Sequence, residues 1–166
     1  MTNKYAPHML VLPEDDANRQ IVNGFIKDHR VNGRCVQVMP VAGGWMKVIE
    51  KLANCALEKF PYRRVLMLID FDDEVENRTT MIRSEIERLE QHLSISISDR
   101  VYFLGVSTEP ETFRTMCKKR FEEIGETLAE ECAENKSTLW THEQLDHNAV
   151  ELARLVKDVK PFLFMS

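Results

Sequence analysis

The sequence predicts an α/β fold: a mostly parallel sheet of about four strands, three-layered with its helices, followed by two further helices. Three observations carry this. Short apolar runs alternate with stretches of helical apolar spacing through most of the chain. The run Val65-Leu66-Met67-Leu68-Ile69 is unbroken by any polar residue, as a strand buried on both faces requires. Acids or glycines stand directly after each apolar run, where the ligand-binding residues of open α/β sheets collect.

The elements follow in order. His8 to Leu12 is a short apolar strand stopped by Pro13. Asp15 or Asp16 then caps a helix whose apolar positions are Ile21, Val22, Phe25 and Ile26. Cys35 to Met39 is the second strand, and Pro40-Val41-Ala42-Gly43-Gly44 is a turn of freely rotating backbone. A helix from about Trp45 to Lys59 buries Val48, Ile49, Leu52 and Ala56. Arg64 to Ile69 is the third strand. A charged helix from Asn77 to about Gln91 follows, with Ile82, Ile86 and Leu89 on one stripe that Leu93 continues. Leu93 to Ser98 alternates in polarity and is assigned to loop, and Val101 to Val106 is the fourth strand.

Pro110 suits the first turn of the next helix, with Thr108 or Glu109 as its cap. Phe113, Cys117, Phe121, Ile124, Leu128 and Cys132 keep helical spacing, which predicts one long amphipathic helix with Gly125 as its weak point. Thr141-x-x-Gln144 has the pattern of a capping box, and Leu145, Ala149, Leu152 and Val156 carry the last helix. Pro161 to Met165 is an apolar tail, expected as a late strand or a docking segment. Together with the last helices it is expected to cover one face of the sheet or to form a homodimer contact.

At 166 residues the chain suits one domain, 1–166, with a core over about 8–115 and a helical extension over about 116–166. A net charge of -5 argues against nucleic-acid binding by bulk charge, leaving a local basic patch or a metal bridging to phosphates. Cys35, Cys55, Cys117 and Cys132 form neither a C-x-x-C pair nor a zinc spacing, which predicts reduced thiols and a cytoplasmic protein. No signal-peptide core and no run of membrane-spanning length is present in the sequence, so no membrane partner is expected.

The polar residues converge on this frame. Glu14 follows the first strand, Gly43 and Gly44 the second, Asp70 and Asp72 the third, and Glu109 and Glu111 the fourth. In a parallel sheet those carboxyl ends share one edge. Asp70 and Asp72, two apart on extended chain, point to the same side and can share one hard cation through oxygen ligands. Clustered carboxylates repel, so Glu14 without a metal is expected to have a raised pKa, useful for proton transfer. His142 and His147 lack the spacing of a helical zinc pair and are expected as capping and packing groups. Trp45 is either a core residue or a base-stacking platform.

This arrangement resembles a toprim domain, the catalytic module of topoisomerases, primases and several nucleases. The matching pieces are Leu10-Val-Leu-Pro-Glu14 and Ile69-Asp-Phe-Asp72. Val36-Gln-Val-Met-Pro-Val-Ala-Gly-Gly44 looks like the second-strand segment of the overcoming-lysogenization-defect nucleases, and Glu109-Pro-Glu111 is similar to their acidic strand-four motif. The likeness covers about residues 8–115. It departs at Asp15, where the family has a glycine, at Lys47, which is not adjacent to Gly44, and after Glu111, where an asparagine and an aromatic are missing. The resemblance implies a Mg2+- or Mn2+-dependent nuclease acting on nucleic acid. Glu14 would be the general acid or base, and Asp70 and Asp72 would hold the metal. Glu109 would be a further ligand, and Gly43, Gly44 and Lys47 would meet a phosphate. It equally allows a catalytically degenerate toprim-fold binding module. No G-x-x-x-x-G-K-[ST] motif is present, so any motor would be a separate ATPase chain.

A second resemblance is to response-regulator receiver domains. Glu14-Asp15-Asp16 would be the acidic pair, Asp70 the phosphoacceptor, Thr108 the switch threonine and Lys160-Pro161 the Lys-Pro motif. The long separation of Thr108 from Lys160, with two helices between, and the unexplained Gly-Gly turn count against it.

Overall fold

The computed structural model describes residues 2–165. Strands β1 (His8–Pro13), β2 (Val36–Val38), β3 (Arg63–Leu68) and β4 (Val101–Leu104) form one sheet in the order β2-β1-β3-β4, and every pairing is parallel. Helices α1 (Asp16–Ile26), α2 (Trp45–Ala53) and α3 (Val75–Leu93) connect them. Helices α4 (Pro110–Cys117), α5 (Phe121–Glu134) and α6 (Ala149–Leu163) follow β4.

Alternation along β1 and β3 sorts the core into two sides. Leu10, Leu12, Val65 and Met67 face α2 and α3, packing on Val48, Leu52, Ile82 and Ile86. Met9, Val11 and Leu66 face the other way, toward Val22 of α1, Ala129 of α5 and Val159 of α6. The fold is therefore the predicted three-layer α/β arrangement, with α1 on one face and α2 and α3 on the other. Among the described residues no helix is long and apolar enough to cross a membrane.

Helix α1 meets α5 through two glycines. A Cβ on Gly24 would lie 2.0 Å from the Glu122 carbonyl oxygen, and one on Gly125 would lie 1.8 Å from that of Ile21. Gly125 is thus not the weak point of a long helix but the residue that lets two helices touch backbone to backbone. The expected single helix is instead broken at Lys118, which is left-handed at φ 54, and α5 restarts at Phe121. Apolar spacing carries across the break because Phe113, Phe121, Ile124 and Leu128 share one cluster against α1, so spacing alone could not reveal it. A non-glycine residue in this conformation is strained. Lys118→Gly is expected to stabilise the protein by roughly 0.5–1 kcal/mol in urea unfolding, the gain being limited by the freer unfolded chain.

Two further expectations are corrected, and the apolar tail is found as a docking segment rather than a strand. Helix α2 ends at Ala53 rather than near Lys59, and Ala56 adopts φ 55. Arg63 and Arg100 donate to the carbonyls of Cys55 and Leu57, satisfying groups that would otherwise continue the helix. The Thr141–Gln144 capping box does not form; Thr141 bonds the Ser137 carbonyl, Gln144 bonds the loop after β4, and α6 begins only at Ala149. Pro161 lies inside the last turns of α6, and the following residues dock on the chain's own α1–β2 connection through a Val31–Phe164 bridge. The expected loop follows Leu93, the last residue of α3, over Ser94 to Ser98, its amides at Ile97 and Ser98 gathered by the Glu90 carboxylate.

Helix α6 also covers the free edge of β4. Asn148 exchanges two hydrogen bonds with the Gly105 backbone, Glu151 accepts from Phe103 N at 3.3 Å, and Arg154 donates to Val101 O at 2.6 Å. Side chains three apart on one helical stripe thus serve backbone groups two apart on the strand, antiparallel to it. They stand where a fifth strand would pair, and they close an edge that would otherwise be open to strand addition.

Candidate active site

The strand order reverses between β1 and β3. The helices that leave this point diverge to opposite faces and open a crevice outside the strand ends. Glu14 follows β1 directly, and Asp70 lies just past the end of β3. Backbone pairing carries on beyond the strands, with Glu14 N donating to Leu68 O at 3.0 Å and Phe71 N to Val106 O at 3.1 Å. The loops bearing the acids are therefore extensions of the sheet and share its rigidity.

Glu14 Oε2 accepts from the Asp70 backbone amide at 2.6 Å. The Asp70 side chain is buried, and its Oδ1 accepts from Asn18 Nδ2 at 3.2 Å. Asp15 caps α1 by accepting from Asn18 N at 2.9 Å, which sets its carboxyl beside that of Asp70. Burial, then the neighbouring Asp15 carboxyl, then the charge of Glu14 push Asp70 up to about 9. Asp70 is therefore protonated near neutrality. Burial likewise raises Glu14, outweighing the Asp70 amide that favours its charged form, and the charges of Asp15 and Asp72 add to the rise.

Asp72 turns away from this cluster. Extended backbone ends at Phe71, and Asp72 and Asp73 take φ 48 and φ 62, so the same-side rule for residues two apart no longer holds. Hydrogen bonds from Asp72 N to Thr108 O and from Asp73 N to Ser107 O hold the strained turn. The Asp72 carboxylate meets Arg78 Nη1 at 3.4 Å. Arg78 is itself buried, donates to Asp70 O at 2.7 Å, lies 3.8 Å from Glu74 and stacks on the Trp45 ring at 4.8 Å.

The glycine turn is tied to the same place. Ala42 N and Gly43 N donate to Pro13 O and Glu14 O at 3.0 and 2.8 Å, which sets the turn alongside the end of β1. Gly43 at φ 88 and Gly44 at φ 148 occupy backbone that a side chain would strain. The exposed Lys47 folds back so that its Nζ would lie 4.0 Å from a Cβ on Gly43. Glu109 is exposed at the head of α4, where its carboxylate accepts from Thr112 at 3.4 Å. Of the expected set, Glu14 and Asp70 are in contact, with the Gly43–Gly44 turn and Lys47 beside Glu14. Asp72 is diverted to Arg78, and Glu109 points to its own helix. Among the described residues no three His, Cys, Asp or Glu side chains are arranged as a ready metal-binding group.

The receiver-like residues have partners elsewhere. Lys160 Nζ donates to Cys132 O and Asn135 at the end of α5, and the Thr108 hydroxyl donates to Gln144. His142 packs on Phe113 and accepts from Gln144 N, while His147 lies edge-on to Phe71 at 4.9 Å, where burial lowers its pKa.

Asn18 and Arg78 were not anticipated as site residues, nor was Asp15 as part of the toprim-like site. A signal for two of them is present. Asn18 extends the Val22–Phe25 stripe of α1 by one turn, and Arg78 extends the Ile82–Ile86 stripe of α3. A polar residue continuing an apolar stripe toward the carboxyl edge of the sheet is a buried group aimed at the crevice. Comparison with protein-family models finds none that matches this chain, and comparison with curated proteins finds no match.

Proposed function

We infer that the chain is a divalent-cation-dependent phosphoryl-transfer domain of toprim type, acting on the phosphodiesters of nucleic acid with Mg2+ or Mn2+. The observation supporting this reading is the crowding of three carboxyl groups at the switch point, the half-buried Glu14 and Asp15 against the buried Asp70, which drives up the pKa values of Glu14 and Asp70. The donor chemistry fits a hard cation: the groups are carboxylate oxygens, and a proton now occupies the place of the missing positive charge. Glu14, Asp15 and Asp70 would hold the cation, with Asp72 recruited from Arg78 and Glu109 from Thr112. Such a cation supplies charge stabilisation to phosphoryl oxygens.

The chain's own groups have separate tasks. Glu14, with its raised pKa, moves a proton to or from the reacting oxygen. The side-chain-free backbone of Gly43 and Gly44 lets amides approach a phosphate, and the Lys47 ammonium above Gly43 pairs with it. A non-catalytic binding module is the second reading, favoured by the Arg78–Asp72 contact, which already neutralises one acid of the Asp-x-Asp pair.

The test is paired. With Mg2+ or Mn2+ the protein is expected to nick plasmid or single-stranded substrates, and its melting temperature is expected to rise by about 2–5 °C. A metal-induced rise without cleavage selects the binding module. Neither effect under any metal removes the phosphoryl-transfer reading.

A further inference from the structure

A second cavity lies on the opposite side of the sheet from α2 and α3. It measures about 120 Å3 and is lined by the sheet face carrying Met9, Leu66 and Leu104 together with α1, α5 and α6. Its wall is almost wholly apolar, and the few polar groups in it already have partners. Asn18 donates to Asp70, Asn148 exchanges bonds with Gly105, Trp140 Nε1 donates to Leu128 O, and Lys160 donates to Cys132 O. The Cys132 thiol is held neutral, burial pushing it up to about 11.

We propose that this cavity is a binding site for a compact, uncharged apolar molecule about the size of one six-membered ring. Size and chemistry both select that class. Apolar cavities of roughly 150 Å3 take up benzene or xenon and exclude water, which needs two to four polar partners. No free donor or acceptor in the named wall groups would compensate a polar ligand for its lost hydration. A fatty chain exceeds the volume. A rigid hydrocarbon gains dispersion contacts on every wall, which a void denies them. The site shares only Asn18 with the acidic crevice and does not depend on the function proposed for it.

The experiment uses the full chain, with benzene as probe, phenol as its polar analogue, and amide chemical shifts beside the melts. Benzene is expected to raise the melting temperature by about 2–4 °C and to shift resonances of α1, α5 and α6, and phenol to do neither. Val156→Phe, which places a ring into the cavity, is expected to lose the response. Leu128→Ala, which enlarges it, is expected to melt lower and to regain more stability with benzene than the parent does. The proposal is overturned if benzene changes neither melt nor shifts in the parent chain, or if Val156→Phe responds as the parent does. Should Val156→Phe not fold, the enlarged variant decides: a benzene response no larger than the parent's overturns it.

Discussion

Asp70→Asn is expected to make the metal-free protein more stable while abolishing any metal-dependent activity. Asp70 is neutral in the fold because its pKa stands at about 9, against an ordinary value of 3.8. A folded pKa above the unfolded one means that the folded state binds the extra proton. The associated stability is fully present below the unfolded value and is lost as pH rises through the folded one. Each pH unit inside that window costs about 1.4 kcal/mol per proton held. Asparagine has the same shape and needs no proton. Its oxygen can accept from Asn18 as Asp70 now does at 3.2 Å, and its amide can face the neighbouring Asp15 carboxylate. Urea unfolding is expected to show a gain that grows by about 4 kcal/mol between pH 5 and pH 8, three pH units at about 1.4 kcal/mol each. Cleavage with Mg2+ or Mn2+ is expected to vanish, and so is the metal-induced rise in melting temperature. A gain that does not change with pH rejects the proton on Asp70, whereas an unchanged metal response in the variant rejects Asp70 as a ligand.

How much of this was legible beforehand depends on the kind of information involved. The alternation of Val65–Ile69 with helical stretches marks the α/β class, and the acids after β1 and β3 mark the crevice, because both are local patterns repeated along the chain. The break at Lys118 was hidden because one apolar stripe runs through both α4 and α5. The fate of Asp72 was hidden because it depends on a left-handed turn that contacts with Ser107 and Thr108 impose from another loop. The role of α6 at the edge of β4 was hidden for a similar reason: Asn148, Glu151 and Arg154 look like an ordinary solvated stripe until a strand edge lies against them. In each case a tertiary partner decides, and its position is not written in the segment itself.

Arg78→Ala is expected to be the most destabilising single change at the site. It removes a charged hydrogen bond to Asp70 O, the 3.4 and 3.8 Å contacts to Asp72 and Glu74, and the stacking on Trp45. The Asp70 carbonyl loses its guanidinium donor, and the positive-φ turn at Asp72 and Asp73 loses one of its ties. Together these losses are expected to cost roughly 2–4 kcal/mol in urea unfolding. Arg78→Lys keeps the charge but not the planar fork or the stacking, so it is expected to recover less than about half of that loss. The same variant separates the two functional readings. The Arg78 charge opposes the rise that burial gives the Glu14 pKa, and Asp72 has Arg78 as a direct partner, so the guanidinium competes with any cation entering the crevice. If the acids form a metal site, Mn2+ measured by calorimetry is expected to bind Arg78→Ala more tightly than the parent chain, although the variant is less stable. If Arg78 instead completes a non-catalytic binding surface, the variant loses stability and gains no affinity for metal.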